Sequence, residues 1–337
     1  MNWKSAKPTL GFCGAVCYNI FMLRIRREHQ KLQKAVIILG PTACGKTAWS
    51  LKLAKKFNGN IISADSRQVY KKMDIGTGKE LGEWRWNGLR HTYYIQDIPH
   101  HLIDFLDPGI FFAVTEFRDK ATKYIKLAHK HNHLPIVVGG TGLYIQALVD
   151  NLKIPRVAPN KKLRQSLEEK TEVELMEWLR NLDDKTAQTI DPKNKRRVIR
   201  ALEVCILSGE PFSTQQGKGE PIFDILQIGI DISREELYQR IDKRIEEMML
   251  NGLLAEVKAL LKQKYSWNLS SLSGIGYRQF KDYFTKQITL PQAVELLKRD
   301  TRRYSKRQLT WFKRDQRIKW CTDYEQAEKL VVDFIKN

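Results

Sequence analysis

The sequence predicts an α/β fold: a parallel sheet flanked by helices, carrying a helical insertion domain. Three observations point there. Short apolar runs rich in β-branched residues recur at "AVIILG", "NIIS", "LPIVVGG" and "DILQIGIDI". Unbroken runs of this kind suit strands covered on both faces. Several pass through a glycine or polar turn into a helical pattern, which is the strand–loop–helix unit of a parallel sheet. Between residues 151 and 219 the strand signals fade and the pattern turns polar and helical.

Taken in order, residues 34–40 read as a buried strand, 40–46 as a loop, and about Lys46 to Phe57 as a helix. "GNIISADS" is a second strand, ending in the acid Asp65. In "DSRQVYKKMDIGTGK" the polar residues Gln68, Tyr70, Asp74 and Thr77 follow no strand or helix period, so they read as a loop lining a site. "LPIVVGGTG" is a buried strand entering a glycine turn, and "LYIQALVDNL" continues as a helix. The polar segment closes with the Gly/Pro/Gln-rich "GEPFSTQQGKGEP". Residues 224–232 form a later strand, and the chain from 233 onward is mostly helical. The expected organisation is a core over 34–150 and 220–337 with an insertion over 151–219. Residues 1–33 stand apart. The first 27 contain no acid and include the weakly apolar "LGFCGAVCYNIFML". They are expected to be a disordered extension, or a start-site artefact with Met22 opening the protein.

Charge narrows the function. Fifty-eight Lys and Arg face 38 Asp and Glu, a formal net charge of +20. Such an excess fits a polyanionic partner, nucleic acid above all. Five scattered cysteines, an odd number, suit reduced thiols in the cytoplasm and supply no zinc pattern. No run approaches the ~18–20 apolar residues of a membrane span. His129, His131 and His133 sit where a helix should end, and they read as helix-end cations or solvated loop residues. His100 and His101 likewise lack the helical pairing with an acid that a zinc site uses.

The chemistry starts at "GPTACGKT". It fits G-x-x-x-x-G-K-[ST] between a strand and a helix, so the sheet reads as P-loop NTPase-like. Gly40, Pro41, Thr42, Ala43, Cys44 and Gly45 would wrap phosphate oxygens with backbone N–H groups at a helix N-terminus. Lys46 would neutralise phosphate charge and Thr47 would ligate Mg²⁺. The motif is shared with ATP-binding and other nucleotide-binding proteins. The strand ending "VVGGTG" lacks the acid that motor ATPases carry there. Asp65 ends its strand instead, facing the phosphate loop from the neighbouring strand, and is placed to orient water or magnesium or to serve as a general base. Further on, Arg299, Arg303, Lys306, Lys313 and Arg317 are spaced to share one face of a helix over 296–320. That face, with Trp311, suits a nucleic-acid backbone. "NKRRVIR" at 194–200 adds a second basic cluster.

In order and spacing, "GPTACGKT", "IISADSRQVYKKMDIGTGK", "PHHLID", "VVGGTGLYIQAL", "RRVIRALEV", "GIGYRQ" and "KRQLTWF" resemble the bacterial tRNA dimethylallyltransferase family, also called tRNA isopentenyltransferases. The resemblance covers the chain from about Lys34. Cys44 stands where the family usually has Ser, "EWRWNGLRHTYYIQDI" is longer than in short members, and the zinc finger of some eukaryotic relatives is missing. The resemblance implies transfer of a dimethylallyl group from dimethylallyl diphosphate to N6 of the adenosine at tRNA position 37, 3′ of the anticodon; a monomer is the default expectation, and the reduced thiols place it in the cytoplasm. It implies that residues 40–47 hold the diphosphate with Mg²⁺ and that Asp65 accepts the N6 proton. Asp65, Ser66, Arg67 and Gln68 would read the target adenine. Thr141 and Arg164 fall on positions that contact tRNA or the reacting centre. Arg196, Arg197, Val198, Ile199 and Arg200 would contact the anticodon stem-loop. So would the blocks containing Gly276, Tyr277 and Arg278, and Lys306, Arg307, Gln308 and Trp311. Two other readings remain at this stage. A small-molecule P-loop kinase would not need two basic clusters, and an ATP-driven RNA-binding protein would not need the Asp65 block.

Overall fold

The elements run β1 (Lys34–Leu39), α1 (Lys46–Lys56), β2 (Gly59–Ser63), β3 (Glu83–Trp86), β4 (His91–Ile95), β5 (Ile98–His101), α2 (Val114–Lys130), β6 (Leu134–Gly139), α3 (Gly142–Val149), α4 (Lys161–Glu168), α5 (Glu172–Thr189), α6 (Lys195–Ser208), α7 (Phe212–Gln215), β7 (Asp224–Ile230), α8 (Arg234–Leu250), α9 (Leu253–Lys262), a 3-10 turn (Arg278–Phe280), α10 (Lys281–Phe284), α11 (Leu290–Phe312), β8 (Lys319–Cys321) and α12 (Tyr324–Lys336). The computed structural model describes residues 32–337 except 87, 89 and 90. All but the last two residues of the extension expected over 1–33 therefore lie outside the described residues.

Eight strands form one sheet in the order β3–β4–β5–β2–β6–β1–β7–β8. From β5 to β8 every pairing is parallel. The central strands earn their place by composition: from Ala35 to Leu39 every residue of β1 is fully buried, as a parallel strand covered on both faces requires. Truncating one such side chain, for example Ile37→Ala, would cost about 2–5 kcal/mol. The far end of the sheet departs from expectation. Strands β3, β4 and β5 form an antiparallel meander, β3 against β4 and β4 against β5. Its outer strand, "EWRW", is exposed at every position, so no burial pattern announces it.

Helices α4, α5 and α6 carry their own apolar cluster, built on Leu167, Leu175, Leu179, Val198 and Leu202. Side-chain caps start these helices: Asn160 accepts from Leu163 N, Asn194 accepts from Arg197 N, and Thr171 with Glu174 forms a capping box. Near this segment's ends the chain crosses itself at an isolated antiparallel bridge between Lys153 and Gly217.

The basic C-terminal stretch is not one helix. α11 ends at Phe312, and residues after it turn. The Asp315 carboxylate accepts from Arg317 N (3.0 Å) and from the Arg317 guanidinium (2.7 Å), closing that turn. Arg317 also reaches the buried Asp150 at 2.8 Å. Lys313 is the C-cap of α11, its N–H still bonded to Leu309 O, but Arg317 does not continue the face of Arg299, Arg303 and Lys306. Local side-chain bonds to the backbone compete successfully with helix propagation here.

Candidate active site

The loops after β1, β2 and β6 open into one cavity of about 860 Å³. This is the crevice at the carboxyl ends of parallel strands, where open α/β sheets gather ligands. Lys46, Thr47, Asp65, Gln68 and Gly140 all line it. The sequence suggested that the Asp65 strand neighbours the phosphate-loop strand. Instead β6 lies between β2 and β1, and the two loops meet over its end.

The phosphate loop is built for an anion. Gly45, at φ +102°, is the N-cap of α1, and no side chain caps this helix. The first turn of α1 has no acid. Its opening N–H groups thus remain for a ligand, with the positive end of the helix dipole behind them. The Lys46 ammonium donates to Gly40 O (3.1 Å) and Pro41 O (2.6 Å) and so stays against the loop. Gln308 braces the far side. It accepts from Thr42 N (2.9 Å) and donates to Gly140 O (2.8 Å), tying the phosphate loop to the turn after β6. A side chain on Gly140 would meet Gln308 Nε2 at 2.3 Å, which explains a glycine there.

The block after β2 is a turn organised by its own acid. Asp65 Oδ1 accepts from Arg67 N (2.8 Å) and Gln68 N (3.4 Å). Thr141 Oγ1 accepts from Ser66 N (3.0 Å). The Gln68 amide donates to Gly78 O (3.2 Å) and Thr77 O (3.4 Å). Its donor end is thereby spent on backbone, which leaves the carbonyl end as the group available to a ligand. Of the polar residues expected to line the site here, Gln68 and Thr77 do. Tyr70 instead packs in the core at 2% exposure.

Two cavity residues carried no sequence motif. Arg240 and Arg244 lie one turn apart on α8 and line the cavity. Arg240 approaches Cys44 O at 3.5 Å, at the phosphate loop. Arg244 donates to Gly78 O at 2.9 Å. Burial draws the Arg244 guanidinium below its ordinary value, opposed by the Asp65 and Glu80 charges, yet an arginine stays cationic at neutral pH. The i, i+4 repeat in "LYQRIDKRIEEM" was the available clue, but a charged helix face gives the same pattern. Tyr304 and Arg307, from α11, close another wall. Burial, then the Asp65 charge, pushes the Tyr304 phenol up.

Several residues expected at an RNA surface are elsewhere. Val198 (1% exposed) and Ile199 (3%) are core residues of the α4–α6 cluster. Tyr277 is 1% exposed, and its hydroxyl donates to Glu256. Gln308 is buried in the brace just described. Apolar packing and internal hydrogen bonds already use these side chains, and of the four only Gln308 lines the cavity. Arg164 and Arg200 both converge on the fully buried Glu203, Arg164 through two bonds of 2.8 and 2.7 Å. Arg196, Arg197, Lys306 and Arg307 are exposed. Trp311 is 41% exposed and packs over Gly142, where an added Cβ would lie 2.4 Å from its ring. Gly276, at φ +103°, abuts Gly76 O. Arg278 is held by Asp300 at 3.1 Å. On α11, Lys298 and Arg302 pair with Glu246 and Asp242 of α8. Arg303, Lys306 and Arg307 have no ion pair among the described residues.

The histidines hold structure. His100 and His101 are buried in β5, His101 stacked on Tyr124 at 4.2 Å. His129 bonds Lys34 O (2.7 Å) and His133 bonds Asn58 O (3.0 Å), both near the end of α2. No cluster of His, Cys, Asp or Glu able to hold a metal occurs among the described residues.

Comparison with known proteins agrees with this geometry. The IPP transferase family model matches residues 68–315. The chain is 42% identical over 311 residues to a tRNA dimethylallyltransferase of Carboxydothermus hydrogenoformans, covering 90% of this chain and 96% of the relative. A solved tRNA isopentenylpyrophosphate transferase from Bacillus halodurans is 37% identical with a TM-score of 0.64, over 91% of this chain and 96% of that one. A eukaryotic dimethylallyltransferase captured acting on tRNA superposes with a TM-score of 0.74 at 29% identity, over 90% of this chain and 80% of its own. Matched in sequence and in fold over most of its length, the chain belongs to the IPP transferase family.

Proposed function

We propose that this protein transfers a dimethylallyl group from dimethylallyl diphosphate to N6 of the adenosine at tRNA position 37, releasing diphosphate. One observation carries the reading: an anion-binding loop and an acid, Asp65, line the same cavity. An exocyclic adenine amine is a weak nucleophile and its attack sheds a proton, so a base must lie beside it. The leaving diphosphate develops charge that fixed donors must meet. In the proposed arrangement the N–H groups of residues 40–47, with Lys46, Arg240 and Arg244, receive the diphosphate. Asp65 Oδ1 is committed to the turn, and Oδ2 takes the N6 proton. The Gln68 carbonyl end and Ser66 orient the base. The adenine must leave its stack to reach a recessed cavity, so flipping is expected.

The residues present fit Mg²⁺. The exposed Thr47 hydroxyl at the start of α1 is a hard oxygen donor of the kind Mg²⁺ takes, and it would hold the ion together with the oxygens of the bound diphosphate. When bound, Mg²⁺ supplies further neutralisation of the leaving group.

The proposed acceptor surface is the anticodon stem-loop, met by Arg303, Lys306 and Arg307 of α11 and by Arg196 and Arg197 of α6. Helices α4–α7, over 151–219, are proposed as an insertion domain that holds the stem, and the enzyme is proposed to act as a cytoplasmic monomer. No described helix is long and apolar enough to cross a membrane.

The test is tRNA-dependent release of diphosphate from dimethylallyl diphosphate, with Lys46→Ala beside the parent. The parent should release diphosphate only with tRNA, and the variant should be slowed at least tenfold. Equal release with and without tRNA would overturn the reading.

A further inference from the structure

The cavity loop over residues 73–80 borders groups proposed for both substrates, yet it has no strand or helix to hold it. Two charged groups do so instead, Glu256, which is half-buried, and Lys79, which is buried. At one end three successive N–H groups converge on Glu256, from the first turn of α9. Asp74 N and Ile75 N donate to Oε2 at 2.8 Å each, and Gly76 N donates to Oε1 at 3.0 Å. The Tyr277 hydroxyl adds a fourth bond to Oε1 at 2.7 Å. At the other end Lys79, 7% exposed, donates to Tyr70 O and to Asp104, each at 2.7 Å.

Between these anchors lies Gly78, at φ +56°. Its carbonyl accepts from Gln68 Nε2 on one side and Arg244 Nη2 on the other. One backbone oxygen therefore orients both the amide proposed to read the adenine and a guanidinium proposed to meet the diphosphate. Space is tight on every side. A side chain on Gly76 would lie 2.5 Å from the Tyr277 ring, and one on Gly78 would lie 1.6 Å from Arg244.

We propose that Glu256 is a positioning residue for transfer: by gathering the 74–76 backbone it sets the Gly78 carbonyl, and through it Gln68 and Arg244 together. The inference rests on the proposed function. A carboxylate suits the task because it accepts on both oxygens. An amide would turn an NH₂ group toward N–H donors and leave part of the 74–76 backbone without its acceptor.

The test is steady-state kinetics of Glu256→Gln, Gln68→Ala and the double variant, with the parent alongside and active-site concentration measured. Glu256→Gln should lower kcat and raise the KM for dimethylallyl diphosphate, reducing kcat/KM by roughly ten- to a hundredfold. The double variant should lose clearly less than the product of the two single losses, because both act through Gly78. Tyr277→Phe, which removes one of the four bonds and keeps the ring, should move the same parameters by a smaller factor. It carries the test if Glu256→Gln fails to fold. A purely structural Glu256 would lower thermal stability while kcat per active site and both KM values stayed within about twofold of the parent. That result, or losses that multiply fully, would overturn the inference. A parent that transfers nothing would instead remove the functional reading, and this inference with it.

Discussion

Asp65 carries the most specific residue-level claim. Asp65→Asn keeps an oxygen for the Arg67 N–H and removes the base. Turnover should fall by about 10²–10⁴ while tRNA affinity stays near that of the parent. Filter binding and single-turnover assays would separate the two, and a matching loss of binding would reject the role. Arg244→Ala should raise the KM for dimethylallyl diphosphate roughly tenfold, as loss of a charged hydrogen bond does, with the KM for tRNA little changed. His100 gives a pH prediction unrelated to catalysis. Burial lowers its pKa from 6.5 to about 4 in the folded protein. The unfolded chain therefore takes up the proton first as pH falls. Stability is full above 6.5 and declines as pH drops toward 4, by up to roughly 3 kcal/mol. Urea unfolding across that window would measure it, and a flat profile would contradict the burial argument.

At the scale of elements, what could be read from sequence divides along physical lines. β1, β2, β6 and β7 were legible because each parallel strand carries an apolar, mostly β-branched run at its centre. The start of α1 was legible because Gly45-Lys46-Thr47 needs one geometry. The β3–β4–β5 meander was not, since its outer strand buries nothing. Arg240 and Arg244 were hidden for a related reason: an arginine facing a cavity and one facing solvent look alike in sequence. The basic stretch at 296–320 was read as a single face because charge alone does not mark where a helix stops. Asp315 decides that, through bonds to Arg317. Nor does sequence show that α8 supplies acids to Lys298 and Arg302. Arg303 and Lys306 are the cations proposed to meet RNA, so reversing both charges should weaken tRNA binding and flatten its dependence on salt. The slope should drop by about 0.7–0.9 for each phosphate no longer neutralised. An unchanged slope would rule out that surface.

For the whole molecule, the crevice explains how one sheet can serve two substrates. β1 delivers the anion loop, β2 the acid, and the turn after β6 joins them through Thr141 and Gln308. The +20 charge then has a use beyond the cavity, drawing a polyanion toward its mouth. The central claim is that the loop "GPTACGKT" holds a prenyl diphosphate and that its product is a prenylated adenosine. The measurement is nucleoside mass spectrometry of unmodified tRNA with adenosines at positions 36–38, incubated with the protein and either dimethylallyl diphosphate or ATP. N6-dimethylallyladenosine should form with the first donor, and the tRNA should stay unchanged with the second. ATP consumption without prenylated adenosine would contradict it.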